Sequence, residues 1–270
     1  CTNLADCDLS FNDISVLPAT FSLCTALTSL KIEENQIPGF PDDFFDRCTK
    51  LTHLNCCKNR IKVIPPEISN LTELTFLHLG FNKLTILPPE IGELQILEEF
   101  HCQHNEIQAL PPSIGKLVKC KLIDLSQNQL TTIPKNFCRC TQLTELRLNQ
   151  NRITQVPIEM GKLPSIKLIL LEGNKACKAP PVEVIVKGSD TVLNYFRGFL
   201  KARSDKILEL PDLGMINFPR DAASHSDLVH VDFQNNQMQS LPAKISIFTC
   251  LQYLNMCNNR LAAIPDTIGK

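Results

Sequence analysis

Leu74-Thr75-Phe76-Leu77-His78-Leu79-Gly80-Phe81-Asn82-Lys83-Leu84 is the stretch that decides the fold. Leucines hold its first, fourth, sixth and eleventh places, and an asparagine holds the ninth. The phrase returns as Leu143, Leu146, Leu148, Asn151 and Ile153. Its asparagine recurs at Asn12, Asn35, Asn59, Asn82, Asn105, Asn128, Asn151 and Asn174, in steps of 23 residues with a single step of 24. A fixed period of this length marks a stack of like turns.

The residue types follow from that geometry. Leu77 and Leu79 alternate with polar neighbours, so a short strand sends them inward while the intervening residues face solvent. The asparagine carries both an amide donor and a carbonyl acceptor, which suits it to satisfy backbone groups of adjacent turns as the chain leaves the strand. A second apolar group, Leu87, Pro88, Ile91 and Leu94, repeats as Leu110, Pro111, Ile114 and Leu117 and is expected to line the return. Proline fixes φ and lacks an N–H, which disfavours another central strand there. These are leucine-rich repeats, and the predicted fold is α/β: a curved solenoid with a parallel concave sheet. One turn cannot bury its apolar side alone, but roughly 1.5–3 kcal/mol per buried Leu or Ile, repeated turn by turn, holds a long stack.

Composition is consistent with one elongated body. A chain of 270 residues and net charge -1 gives no reason to expect nucleic acid or an anionic membrane as partner. There is no run of about 20 apolar residues and no signal peptide pattern. Cys1 falls inside the first repeat and Lys270 inside the last, so the chain reads as a piece of a longer protein. Cys7, Cys56, Cys102 and Cys120 stand at core places of the strand phrase, and Cys24, Cys48 and Cys140 stand three residues before it. They read as buried leucine substitutes, which implies a reduced, intracellular and cytoplasmic protein. Asn70-Leu71-Thr72 is the one N-x-S/T tripeptide.

After Asn174 the period fails, then resumes at Asn236 and Asn259. Counting back 23 from Asn236 reaches Leu213, a degenerate repeat without its asparagine. The 39 residues from Asn174 to Leu213 are one repeat of 23 and an insertion of 16. The organisation predicted is repeats one to eight over 1–179, a helical insertion over 180–203 between repeats eight and nine, and repeats nine to eleven over 204–270. Within the insertion, Val192, Leu193, Phe196, Phe199 and Leu200 share one helical face, predicting a helix from Ser189 to Ala202 capped by Ser189 or Asp190. Gly188 is placed to take a positive φ after a helical turn at Val182 to Val186. The apolar face either packs on the solenoid or serves as a hinge or docking element.

At this break the sequence resembles a known family. Leu170-Leu171-Glu172-Gly173-Asn174, Val186-Lys187-Gly188-Ser189 and Val192-Leu193-Asn194-Tyr195-Phe196-Arg197 are similar to the L-L-x-G-N, K-G-T and L-x-Y-L-R elements of the leucine-rich repeat-containing protein forty family. Lys206-Ile207-Leu208, Ile216-Asn217-Phe218-Pro219 and Phe233 to Pro242 resemble the segment after that family's helix. Lys175-Ala176-Cys177 departs from its N-P and apolar pattern, and its acidic, serine-rich linker is much shortened. The family is similar to the Ras-group intracellular repeat proteins. The resemblance implies a scaffolding role with no catalytic activity and no cofactor.

Function is therefore expected on the third, fifth, seventh and eighth places of each phrase, which should face the concave side. Repeats three to five offer His53, Asn55, Cys57 and Lys58, then Phe76, His78, Gly80 and Phe81, then Glu99, His101, Gln103 and His104. His53, Cys57, Phe76, His78, Phe81, Glu99, His101 and His104 form the candidate protein-binding patch, with the two phenylalanines as anchors. His78 and His101 on adjacent strands, about 4.8 Å apart by sheet spacing, invite comparison with a zinc site. No C-x-x-C or H-x-x-x-H accompanies them, so no metal and no cofactor is assigned. Asp6, Asp8, Glu33 and Glu34 make the first two repeats acidic, read as a solvated face with a basic partner as the alternative. Leu168 and Leu170 need cover, from the insertion helix or from a partner.

The absence of a phosphate-binding G-x-x-x-x-G-K, an H-E-x-x-H and a nucleophile elbow favours a non-enzymatic, monomeric scaffold whose partner is a protein. The alternatives are the regulatory or substrate-selecting arm of an enzyme whose catalytic domain lies outside this chain, and, more weakly, a receptor ectodomain.

Overall fold

A computed structural model describes residues 2–269; Cys1 and Lys270, read above as lying inside the terminal repeats, are outside the described residues. The chain divides into two compact units. One comprises the residues up to Ile153 together with Leu163–Asn174, and the other Thr154–Lys162 with the residues from Lys175 onward.

The first unit is a solenoid built on one parallel sheet of eight three-residue strands in chain order. They are β1 (Asp6–Asp8), β2 (Ser29–Lys31), β3 (His53–Asn55), β4 (Phe76–His78), β5 (Glu99–His101), β6 (Leu122–Asp124), β7 (Glu145–Arg147) and β8 (Leu168–Leu170). Equivalent places pair without slip, as in Ser29 with His53, His53 with Phe76, and Phe76 with Glu99. From β2 on, the middle residue of each strand points inward and is buried, as at Leu54, Leu77 and Phe100. Sixth-place residues such as Cys56, Leu79 and Cys102 are equally buried. The twelve described cysteines are free, and burial pushes the Cys48 thiol up to about 11.

The return segments are single turns of 3-10 helix, at Ala19–Leu23, Pro66–Asn70, Pro89–Glu93, Pro112–Lys116 and Lys135–Arg139. Pro18, Pro65, Pro88, Pro111 and Pro134 stand at their caps with φ between -75° and -63°, the value the ring imposes. The step of 24 residues has a local cause. In that repeat the return is α1 (Phe44–Arg47), closed by Cys48 N–H donating to Phe44 O, one residue wider than the Leu71 N–H to Ile68 O bond of its neighbour. The wider turn is packed by Phe21, Phe40, Phe44 and Phe45, whose ring centroids lie 4.8–6.0 Å apart.

The asparagine ladder forms as the sequence requires. Asn105 Oδ1 accepts from Leu84 N–H at 2.9 Å, and its Nδ2 donates to Leu79 O at 3.0 Å in the preceding repeat and Cys102 O at 3.2 Å in its own. Asn35, Asn59, Asn82, Asn128, Asn151 and Asn174 repeat the arrangement. Asn12 has no preceding repeat to reach; it is exposed and bonds within its own turn, to Leu9 O and Ser10 O. Just before each ladder residue, the eighth place takes the left-handed conformation. Phe11, Glu34, Lys58, Phe81, His104, Gln127 and Gln150 have φ of 52–56°, a region costing a residue with a Cβ about 1–2 kcal/mol.

The second unit holds α2 (Val182–Ile185), α3 (Ser189–Asp205) and a three-stranded parallel sheet of β9 (Ile207–Glu209), β10 (His230–Asp232) and β11 (Tyr253–Asn255). Gly188, at φ 99°, holds the cap position of α3 instead of Ser189 or Asp190. The helix runs three residues past the expected Ala202 because Lys206 closes it in the left-handed conformation, its N–H on Ala202 O. Val192, Leu193, Phe196 and Phe199 are buried as predicted; Leu200 is half-buried, while Tyr195, Gly198 and Ala202 join the buried face. That face packs on the return at Ile158–Lys162 and on β9. A Cβ on Gly198 would lie 2.5 Å from Leu210 Cδ2, and one on Gly161 3.0 Å from Phe196 Cβ, so both glycines set how closely the helix approaches. Tyr195 Oη donates to Asp221 Oδ2 at 3.1 Å, and burial raises both groups' pKa values.

Leu213 is buried and lines a cleft with Asn194, Gly198 and Lys201 of α3. In this place an apolar side chain meets a helix, where an asparagine would meet the backbone of a preceding turn. The ladder resumes one repeat later, with Asn236 Oδ1 accepting from Met215 N–H at 3.0 Å.

Candidate partner-binding surface

Sheet pairing sets the patch in rows. On the third-place row the rings of His53 and Phe76 stack, centroids 4.2 Å apart and nearly parallel. On the fifth-place row His78 and His101 lie 4.9 Å apart, and Phe76 spans both rows, 6.2 Å from His78 and 5.5 Å from His101. Glu99 Oε2 sits 3.3 Å from His101 Nε2. The eighth-place row forms a second series: Glu34 holds Lys58 Nζ at 2.5 Å, Lys58 lies 6.0 Å from the Phe81 centroid, and Phe81 stacks on His104 at 3.9 Å. Seven of the eight candidate residues thus fall into two ring-bearing series on one sheet face.

Cys57 does not join them. Expected on the exposed face, it is 7% exposed, and burial raises its thiol to about 11. The seventh place precedes the left-handed turn, and there the chain tucks beneath its neighbours. Gly80 is buried in the same row because a Cβ would lie 2.8 Å from Gln103 Cδ and 2.9 Å from His78 Nε2. Asp124, in the fifth-place row, is also buried; its Oδ1 accepts from Ser126 N–H and Oγ, and Arg147 Nη1 reaches its Oδ2 at 3.4 Å.

The imidazoles are held neutral. Burial, then the neighbouring His101, brings His78 down to about 4, and burial lowers His53 and His104. Among the described residues no three His, Cys, Asp or Glu side chains converge as a set that could hold a metal ion. His78 Nε2 is instead engaged with Gln103 Nε2 at 3.1 Å. No helix among the described residues is long and apolar enough to cross a membrane. Leu168 and Leu170 are half-buried.

Column-by-column reading from Glu34 in steps of 24, 23 and 23 yields Lys58, Phe81 and His104, so the second series was available to pattern. Its left-handed backbone was not, because Lys, Phe and Gln are not turn-forming residues. The buried Glu33 Oε2, which has no protein partner, was also invisible to pattern.

The repeats, ladder and parallel sheet define a leucine-rich repeat fold, and family models concur: residues 54–169 match a leucine-rich repeat region and residues 250–270 a Leucine Rich Repeat. Over 54 residues the chain is 43% identical to lumican of Rattus norvegicus and of Mus musculus, a match covering 20% of this chain and 15% of each relative. The solved LRR protein of Leptospira interrogans is similar across 95% of this chain and 67% of its own, with 25% identity and a TM-score of 0.59. The LRR ectodomain of the Arabidopsis thaliana membrane receptor kinase GASSHO1/SCHENGEN3, solved in complex with Casparian strip integrity factor 2, shares the fold at 21% identity and a TM-score of 0.53, over 99% of this chain and 34% of that one.

Proposed function

We propose that this chain is a non-enzymatic scaffold that binds a protein partner through the solvent-facing side of its eight-stranded sheet, centred on His53, Phe76, His78, Phe81, Glu99, His101 and His104. The observation that carries the reading is the pair of ring series, His53–Phe76–His101 and Phe81–His104, stacked on an exposed sheet face. Aromatic side chains held rigid by stacking bring large contact area at little further entropic cost, the property of interface anchors. Phe81 is 39% exposed although its backbone is left-handed, so the fold keeps an aromatic ring in solvent at some conformational expense.

The helical insertion with its Lys187-Gly188-Ser189 and Asn194-Tyr195-Phe196-Arg197 motifs supports the kinship with leucine-rich repeat-containing protein forty and the organisation into 1–179, 180–203 and 204–270. Burial of most free thiols supports a reduced, cytoplasmic setting. The function is tested by affinity capture from cell extract with the chain and with the quadruple variant Phe76→Ala, His78→Ala, Phe81→Ala, His101→Ala. At least one protein is expected to be retained by the first and lost, about tenfold or more, from the second. Equal recovery of the same proteins by both overturns the patch.

A further inference from the structure

The charges on the sheet face are unevenly compensated. Its cations are Lys31, Lys58 and Arg147, and two of them are already committed: Lys58 to Glu34 at 2.5 Å, and Arg147 to Glu145 at 2.5 Å and Asp124 at 3.4 Å. Asp6 and Asp8 on β1 and Glu33 just after β2 are left with Lys31 alone, which lies in register with Asp8. Asp8 engages only Ser10. Glu33 Oε2 is buried and unpartnered, and a carboxylate oxygen accepts but does not donate. The excess negative charge is local, since the whole chain carries only -1. It directly adjoins the ring cluster: Ser29, His53, Phe76 and Glu99 occupy one continuous row across β2 to β5. The carboxylates of Glu33, Asp6 and Glu99 all act on His53, the ring stacked upon Phe76.

We propose that the face of repeats one to five receives an arginine-bearing basic segment of its protein partner. This deepens the scaffold reading and rests on it. Two features select that chemistry jointly. The carboxylates of Asp6, Asp8 and Glu33 need donors, and a guanidinium brings five in a planar fork. The neutral His53–Phe76 stack offers a ring face beside those carboxylates, where a guanidinium stacks more favourably than an ammonium. An acidic segment would meet like charge, and a purely apolar one would leave Glu33 without a donor.

The test measures binding of fluorescent peptides to the 270-residue chain by anisotropy: one alternating Arg and Ser, one alternating Lys and Ser, and one alternating Glu and Ser. The Arg peptide is expected to bind about threefold tighter than the Lys peptide. Its affinity should fall about tenfold between about 50 and 200 mM salt. The Glu peptide should not bind. Asp6→Asn, Asp8→Asn and Glu33→Gln together should weaken the Arg peptide about tenfold or more, whereas Phe76→Leu should abolish mainly the Arg-over-Lys preference. Unchanged melting temperatures keep these variants interpretable. Equal binding of the Glu peptide, or an unchanged affinity in the triple carboxamide variant, overturns the inference. If a partner captured from extract depends on Phe76 and His101 but not on the three carboxylates, this inference fails while the scaffold reading stands; loss of neither dependence sinks both.

Discussion

Asn105 and Leu213 occupy the same place in two repeats and are held by opposite means. Asn105 lies within an unbroken series of turns, and its amide is spent on the backbones of its own and the preceding repeat. Leu213 opens the second unit's sheet, where the residues beside it belong to the long helix, and it is buried among apolar groups. A ladder residue is thus chosen by what lies on its upstream side. Where backbone lies there, only a side chain that both donates and accepts will do; where a helix lies there, that amide would be buried unpaired.

The strongest way to break this comparison is Asn105→Leu. It strips the partner from Leu84 N–H and Leu79 O, both buried, and should cost about 3 kcal/mol, read from the urea midpoint. The reverse exchange, Leu213→Asn, should cost about 2 kcal/mol, since a buried amide replaces apolar contact with α3. If Leu213→Asn were stabilising, the degenerate repeat would be an ordinary ladder position and the contrast would collapse. A third outcome concerns His78 in the first unit. Its folded pKa of about 4 lies below its unfolded value near 6.5, so the unfolded chain takes up the proton first. The stability due to neutral His78 is complete above about 6.5 and is lost as pH falls towards about 4. In His78→Gln that part of the midpoint's pH dependence should disappear. The smallest effect is expected for Gln127→Gly. Gln127 sits at φ 52°, and relief of that conformation should offset the added freedom of the unfolded chain and leave a gain of about 0.5 kcal/mol in melting experiments.

Most of the architecture was legible because a period multiplies weak signals. Leu77 alone says little, yet its equivalents at Leu54, Phe100, Ile123 and Leu146 fix strand, face and register together. The 24-residue step even locates the one repeat whose return widens to an α turn at Phe44–Arg47. What pattern missed lay where a residue's surroundings come from elsewhere in the chain. Cys57 reads as exposed by its place in the phrase and is buried because the following turn folds it under. Tyr195 reads as a polar-tipped helix residue, and its burial depends on Asp221, 26 residues away. The candidate surface was legible as a set of ring-bearing places on adjacent strands, but its stacking geometry and its uneven charge compensation were not, because both depend on side-chain rotamers and pairings.

The ladder also has a direction in time. Each asparagine accepts a proton from an amide 21 residues earlier, as Asn35 does from Ile14 and Asn128 from Ile107, so every turn is completed by the one that follows it. On a chain emerging from the ribosome, the newest turn always carries an amide whose partner has not yet been made. A helix inserted after Asn174 delays the next such partner, Asn236, by two and a half repeats' worth of synthesis, and the first eight turns meet that pause with their own ladder already closed.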